Sequence, residues 1–159
     1  MHLHSVLRGA HAYLSPAASL AALSHEQAAR RGSNGGHSIA EIVAHMAFWQ
    51  DWFLDRCDGI ATPTPAPASL GWPAVQDHAW GAVLERFEQG FARALALADD
   101  EERVRQSVSP PIEFGHLAKY TTADVLTHLA LHNAHHLGQV ITLRQQLGAW
   151  PPPAGSWTW

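Results

Sequence analysis

Histidine dominates the chemistry available to this 159-residue chain, with twelve copies against ten lysines and arginines combined. Four of them fall between positions 128 and 136 in the run H-L-A-L-H-N-A-H-H-L-G-Q-V. At 100° per residue, Val125, Leu129, His132, His136, Val140, Leu143 and Leu147 share the face that an amphipathic helix turns inward. Burying an imidazole without a partner costs roughly 2–7 kcal/mol, so these two rings need one. His132 and His136 stand four apart, one above the other on a helix, and both can reach a single metal ion. His45, on the edge of another helical stripe, is the candidate for a third ligand. Three imidazoles with an open position are the usual layout of a catalytic rather than a structural metal site. The competing reading is a set of buried imidazoles hydrogen-bonded to one another.

Other residues fit around that centre. Gln139 projects close to His132 and is placed to hold its free ring nitrogen. His128 and His135 project away from the centre of the stripe and read equally as pocket residues or helix surface. Glu41, one turn before His45, is the best acid in reach, although its position also suits a helix cap. Trp49, Trp52 and the Ala/Pro segment 61–67 offer an apolar rim or, equally, bundle core. Cys57 reads as a small core residue, and His2, His4, His25, His37, His78 and His116 as surface or capping positions.

Helices must position these groups. Leu3, Leu7, Ala10 and Leu14 recur at helical spacing, and Pro16 breaks the run with Ser15 ready to cap a new start. Ser24 and Gln27 form a capping box for a short turn, and Gly32, Asn34, Gly35 and Gly36 a loop. Ser38 with Glu41 opens a helix to about Gly59 with core positions Ile39, Ile42, Met46, Trp49 and Phe53. A third helix is expected from Pro73 to about Ala98, buried through Val75, Ala79, Val83, Phe87, Phe91 and Leu95, with Gly90 marking a close neighbour. The acids from Asp99 to Glu102 read as a solvated helix exit. Val104 to Val108 could pair with residues 116–120 in a small hairpin beside the Ser109-Pro110-Pro111 turn, and a connection of this length suits a lid. Thr121 or Thr122 caps the last helix, which Gly148 ends. Four main helices, short additional turns and no internal repeat give an all-α four-helix bundle, one domain over residues 1–159.

Composition narrows the partners. A net charge of −4 and scattered arginines leave no basic stripe to neutralise phosphates, so nucleic acid is not an expected partner. One cysteine excludes an internal disulfide framework and a thiolate-rich zinc site. No stretch is apolar enough for a membrane span and the first residues do not read as a signal peptide, so a soluble cytoplasmic protein is expected. Trp150, Trp157 and Trp159 near the end should pack on the bundle or on a second copy.

The segments H-S-I-A-E-I-V-A-H-M-A-F-W (37–49) and H-N-A-H-H-L-G-Q-V (132–140), with the closing G-A-W-P-P-P, resemble the DinB/YfiT-like family of metalloenzymes. The resemblance implies a four-helix bundle, often dimeric, in which His45, His132 and His136 hold zinc, nickel or another divalent ion such as iron, manganese or cobalt. It further implies a transferase that activates a low-molecular-weight thiol (bacillithiol, mycothiol or glutathione) against a small electrophile. A hydrolase using a metal-activated water and a metal-binding stress-response protein without turnover are the alternatives.

Overall fold

The computed structural model describes residues 3–9, 12–33, 35–76 and 78–156. Six helices carry the chain: α1 (Leu3–Leu7), α2 (Pro16–Leu20), α3 (His25–Ala29), α4 (Ile39–Cys57), α5 (Trp80–Ala98) and α6 (Thr122–Gln146). Short 3₁₀ turns lie at Ala68–Gly71, Arg103–Arg105 and Gly115–Lys119, and no strand occurs among the described residues. The helix starts follow local chemistry. Ser24, Ser38 and Thr121 each close a capping box, with Gln27, Glu41 and Asp124 as the reciprocating side chains. Ser15 caps α2 with Pro16 in its first turn, so the first wall of the bundle is a broken helix.

Packing sets the directions. One end of the molecule gathers Leu3, Leu7, Phe53, Leu54, Leu97, Val125 and Leu126. The other gathers Leu20, Ile39, Val43, Phe87, Leu137 and Val140. Helix α4 therefore runs parallel to α5 and antiparallel to α6 and to the α1–α2 wall. The parallel pair is held in register by Asp51–Arg86 at 2.7 Å, Asp55–Arg93 at 3.1 Å and Asp58–Arg93 at 2.6 Å. These pairs are partly solvated and each is worth about 0–1 kcal/mol, so they specify alignment more than stability. Gly90 admits the Gln50 side chain, which donates to Phe87 O at 2.9 Å.

A parallel α4–α5 pair requires the chain to travel back along the length of α4, about 28 Å for 19 residues. Residues 58–79 do this as a crossover strapped to α4. Thr62 accepts from Arg56 at 2.8 Å, and Pro63 accepts from Trp52 Nε1 at 3.1 Å. Gly71 and Trp72 then lie against His45 and Trp49. Helix α5 consequently starts at Trp80 and not at Pro73, because residues 73–76 and 78–79 are still completing the crossover. Its buried side is Trp80, Phe87, Gly90, Ala94 and Leu97, with Val83, Phe91 and Leu95 half-buried.

The expected hairpin before the last helix reduces to one antiparallel bridge between Ser107 and Thr121. Val108 and Leu117 turn into the core from either side of it, so the segment closes the end of the bundle instead of forming a ribbon. The inward face of α6 also differs from its projection. It is centred on Leu126, Leu129, Asn133, Leu137, Val140 and Arg144, which places His132 and His136 at its edge beside α4. Trp150 is half-buried with the Arg144 guanidinium 5.9 Å from its ring, whereas Ala10, Asn34, His2, Trp157 and Trp159 lie outside the described residues. No helix among the described residues is long and apolar enough to cross a membrane.

Candidate metal centre

The middle of α4 and the middle of α6 meet between the two apolar clusters, and there the imidazoles converge. Ring centroids are 5.2 Å apart for His45 and His132, 4.8 Å for His45 and His136, and 4.5 Å for His132 and His136. One ligand atom from each of the three lies within 4.8 Å of the others, so small ring rotations bring all three onto one ion. His45 and His136 are buried and His132 is partly so.

The protonation states suit a cation. A carbonyl can only accept, so the 2.6 Å contact of His45 Nδ1 with Gly71 O puts the proton on Nδ1 and leaves Nε2 with its lone pair. His136 Nδ1 donates to Gln139 Oε1 at 2.8 Å with the same consequence. Burial lowers the pKa of His45 to about 4, with His136 and His37 adding repulsion against the Gly71 hydrogen bond. Burial lowers His132 to about 3, helped by the imidazoles around it, and lowers His136 as well. The three rings are thus neutral at neutral pH, as ligands must be. His132 Nδ1 is buried without a protein hydrogen-bond partner, an orphan that bound solvent or a metal-linked network would relieve. The donor set fits a borderline divalent ion, with no metal identity singled out.

Two neighbours were not legible in the sequence. The Trp72 indole stacks on His45 at 3.8 Å and on His37 at 3.9 Å, forming a three-ring pile. Gly71 is glycine because a Cβ there would stand 2.6 Å from Trp49 Nε1. The only sequence signal was a Gly-Trp-Pro at the end of a proline-rich connection, where a large ring needs cover.

The remaining candidates sort by reach. Gln139 holds His136, not His132, because His132 is seven residues and about 10 Å of helix rise away. Trp49 stands edge-on to His45 at 6.5 Å. Trp52, one turn further, is core: it is buried, packs on Phe53 and Phe114, and carries the Arg56 guanidinium over its ring. The Ala/Pro segment sits over Trp52 and Arg56 through Thr62 and Pro63. His128 packs half-buried on Phe53 at 4.6 Å and takes no place in the trio. His135 is exposed, with its ring 4.9 Å from that of His136. Glu41 is committed elsewhere, accepting from Ser38 N at 2.7 Å and pairing with Arg31. Cys57 is half-buried, and burial pushes its thiol up to about 11, which makes it inert.

The family model of the DinB superfamily matches residues 9–140, a span containing all three imidazoles. The chain belongs to the DinB superfamily. Comparisons with curated proteins and with solved structures find no match. Within this DinB-superfamily protein, the metal-compatible trio comes from the two helices that the motifs at 37–49 and 132–140 build.

Proposed function

We propose that this chain is a divalent-metal enzyme, with His45, His132 and His136 as its protein ligands and zinc or nickel as its metal, that activates a low-molecular-weight thiol against a small electrophile. The observation that carries the reading is the convergence of three neutral imidazoles, with no carboxylate in the group among the described residues. When bound, a divalent ion held only by neutral ligands keeps a net charge of +2 and lowers the proton affinity of a coordinated thiol or water. The protein's own contribution is orientation and exclusion. Gly71 O and Gln139 Oε1 set the tautomers of His45 and His136, and Trp72 and Trp49 shield His45 from solvent.

Thiol activation is placed before hydrolysis on the resemblance carried by the segments 37–49 and 132–140, since a bound ion would lower the proton affinity of water as well. Glu41, the acid one turn before His45, is held by Ser38 N and Arg31 and offers a bound water no free base. Elemental analysis of tag-free protein tests the ligands: His132→Ala and His136→Ala should lose the metal, while His25→Ala and His78→Ala keep it. Cobalt-substituted protein tests the chemistry. A sulfur charge-transfer band on adding bacillithiol, mycothiol or glutathione, together with faster conjugation to an electrophile, is the expected result. A thiol that leaves the spectrum unchanged and only slows ester hydrolysis would overturn it.

A further inference from the structure

A cavity lies behind the trio, between the loop before α4, the crossover and the last turns of α6. Its volume is about 380 Å³, within the range of roughly 300–1,000 Å³ typical of small-molecule sites. Ile42, Leu143 and Trp72 supply apolar wall, and Gln139, Thr142 and Gln146 supply amides and a hydroxyl. Among the described residues no lysine, arginine, aspartate or glutamate lines it, and the one ionisable wall residue, His37, is stacked on Trp72.

Two of these walls are also supports of the candidate metal ligands. Trp72 stacks on His45 at 3.8 Å, and Gln139 Oε1 accepts from His136 Nδ1 at 2.8 Å. The Nδ1 edge of His136 faces away from its ligand atom Nε2, so a molecule in the cavity meets the back of the ligand shell and not the ion. Gln139 spends its oxygen on His136 and keeps its amide N–H groups for a guest. Thr142 Oγ1 donates its proton to Gly138 O at 3.0 Å and therefore offers a guest only lone pairs. The charges nearest to it, Arg31 on Gly36 O and Glu41 3.7 Å from His37 Nδ1, are paired with each other, so an ion entering the cavity would lose hydration without gaining an unpaired counter-charge.

We infer that this cavity binds a small uncharged molecule with a flat apolar body and an adjoining amide-like donor–acceptor group, and that its occupancy is linked to metal affinity through Trp72 and Gln139. The linkage half rests on the metal-centre reading; the binding half does not. Reciprocity requires that the guest and the metal change each other's affinity by one common factor, commonly 5–150-fold.

Benzamide is a suitable probe, with benzoate and benzylammonium as charged matches of the same shape. In ¹H–¹⁵N spectra of the full chain, benzamide should shift the Gln139 side-chain amide and the Trp72 indole, with both ions binding at least about tenfold more weakly. Thr142→Trp, at an exposed position that fills the cavity, should abolish these shifts, with circular dichroism and the remaining resonances verifying the fold. Zinc titrations with and without saturating benzamide then measure the linkage. Benzamide shifts absent up to its solubility limit, surviving in folded Thr142→Trp protein, or matched by benzoate would overturn the site. A zinc affinity indifferent to bound benzamide would overturn the linkage. Benzamide binding as expected to a protein that takes up no zinc would retain the cavity site and sink the metal reading.

Discussion

Replacing Gly71 with alanine tests the support of His45 without altering any imidazole. The added Cβ would stand 2.6 Å from Trp49 Nε1, 2.8 Å from Cε2 and 2.9 Å from Cζ2, against a comfortable separation of about 3.5–4.0 Å. Trp49 cannot retreat easily, since Phe48, Trp52 and Phe53 pack on its ring. The turn must therefore move outward by about 1 Å, which takes Gly71 O from 2.6 Å to beyond hydrogen-bonding distance of His45 Nδ1. Losing such an outer partner of a metal-bound imidazole typically costs 10–100-fold in affinity, about 1.4–2.7 kcal/mol. Competition against a chromophoric chelator measures it, with Gly138→Ala as control because a Cβ there meets nothing within 4 Å. That control should keep wild-type zinc affinity while stabilising α6 by up to about 1 kcal/mol. Wild-type zinc affinity in a folded Gly71→Ala protein would show that the carbonyl does not position His45.

Stability of the metal-free protein should depend on acid in a definite direction. The unfolded histidines take protons below about 6.5, while the folded site refuses them until about 4 at His45 and about 3 at His132. The stabilisation is therefore full above pH about 6.5 and lost as pH falls through that window, by up to about 1.4 kcal/mol per pH unit for each ring. Urea unfolding across the window, compared with His132→Leu, reads the slope, and equal slopes in the two proteins would refute the assignment. Arg144 is buried and donates to Ser19 O at 2.6 Å, Ala21 O at 3.0 Å and Ala149 O at 3.0 Å. Arg144→Met should therefore cost about 3 kcal/mol or more, a fall of about 6–12 °C in Tm by calorimetry. Cys57 should resist iodoacetamide in the native protein and react on unfolding, and Cys57→Ala should retain its metal on elemental analysis.

Much of the site was written in local sequence. Capping boxes mark a helix start by chemistry confined to four residues, so Ser38 was legible as the start of α4, and the start of α6 was narrowed to Thr121 or Thr122, of which the Asp124 box selects Thr121. The i, i+4 geometry that pairs His132 with His136 belongs to one helix and needs no partner to be recognised. Other features depended on which elements meet. That α5 runs parallel to α4 follows from the packing of both on shared clusters, and it converts residues 58–79 into a crossover, displacing the start of α5 from Pro73 to Trp80. Gly71 and Trp72 reach His45 only because that crossover passes it, 26 residues away in sequence. Periodicity likewise assigned Arg144 to no core, since its burial depends on three carbonyls presented by α2 and the chain after α6. Short-range hydrogen bonding and helical phase are properties of a segment, whereas the support of a ligand and the burial of a charge belong to the assembled bundle.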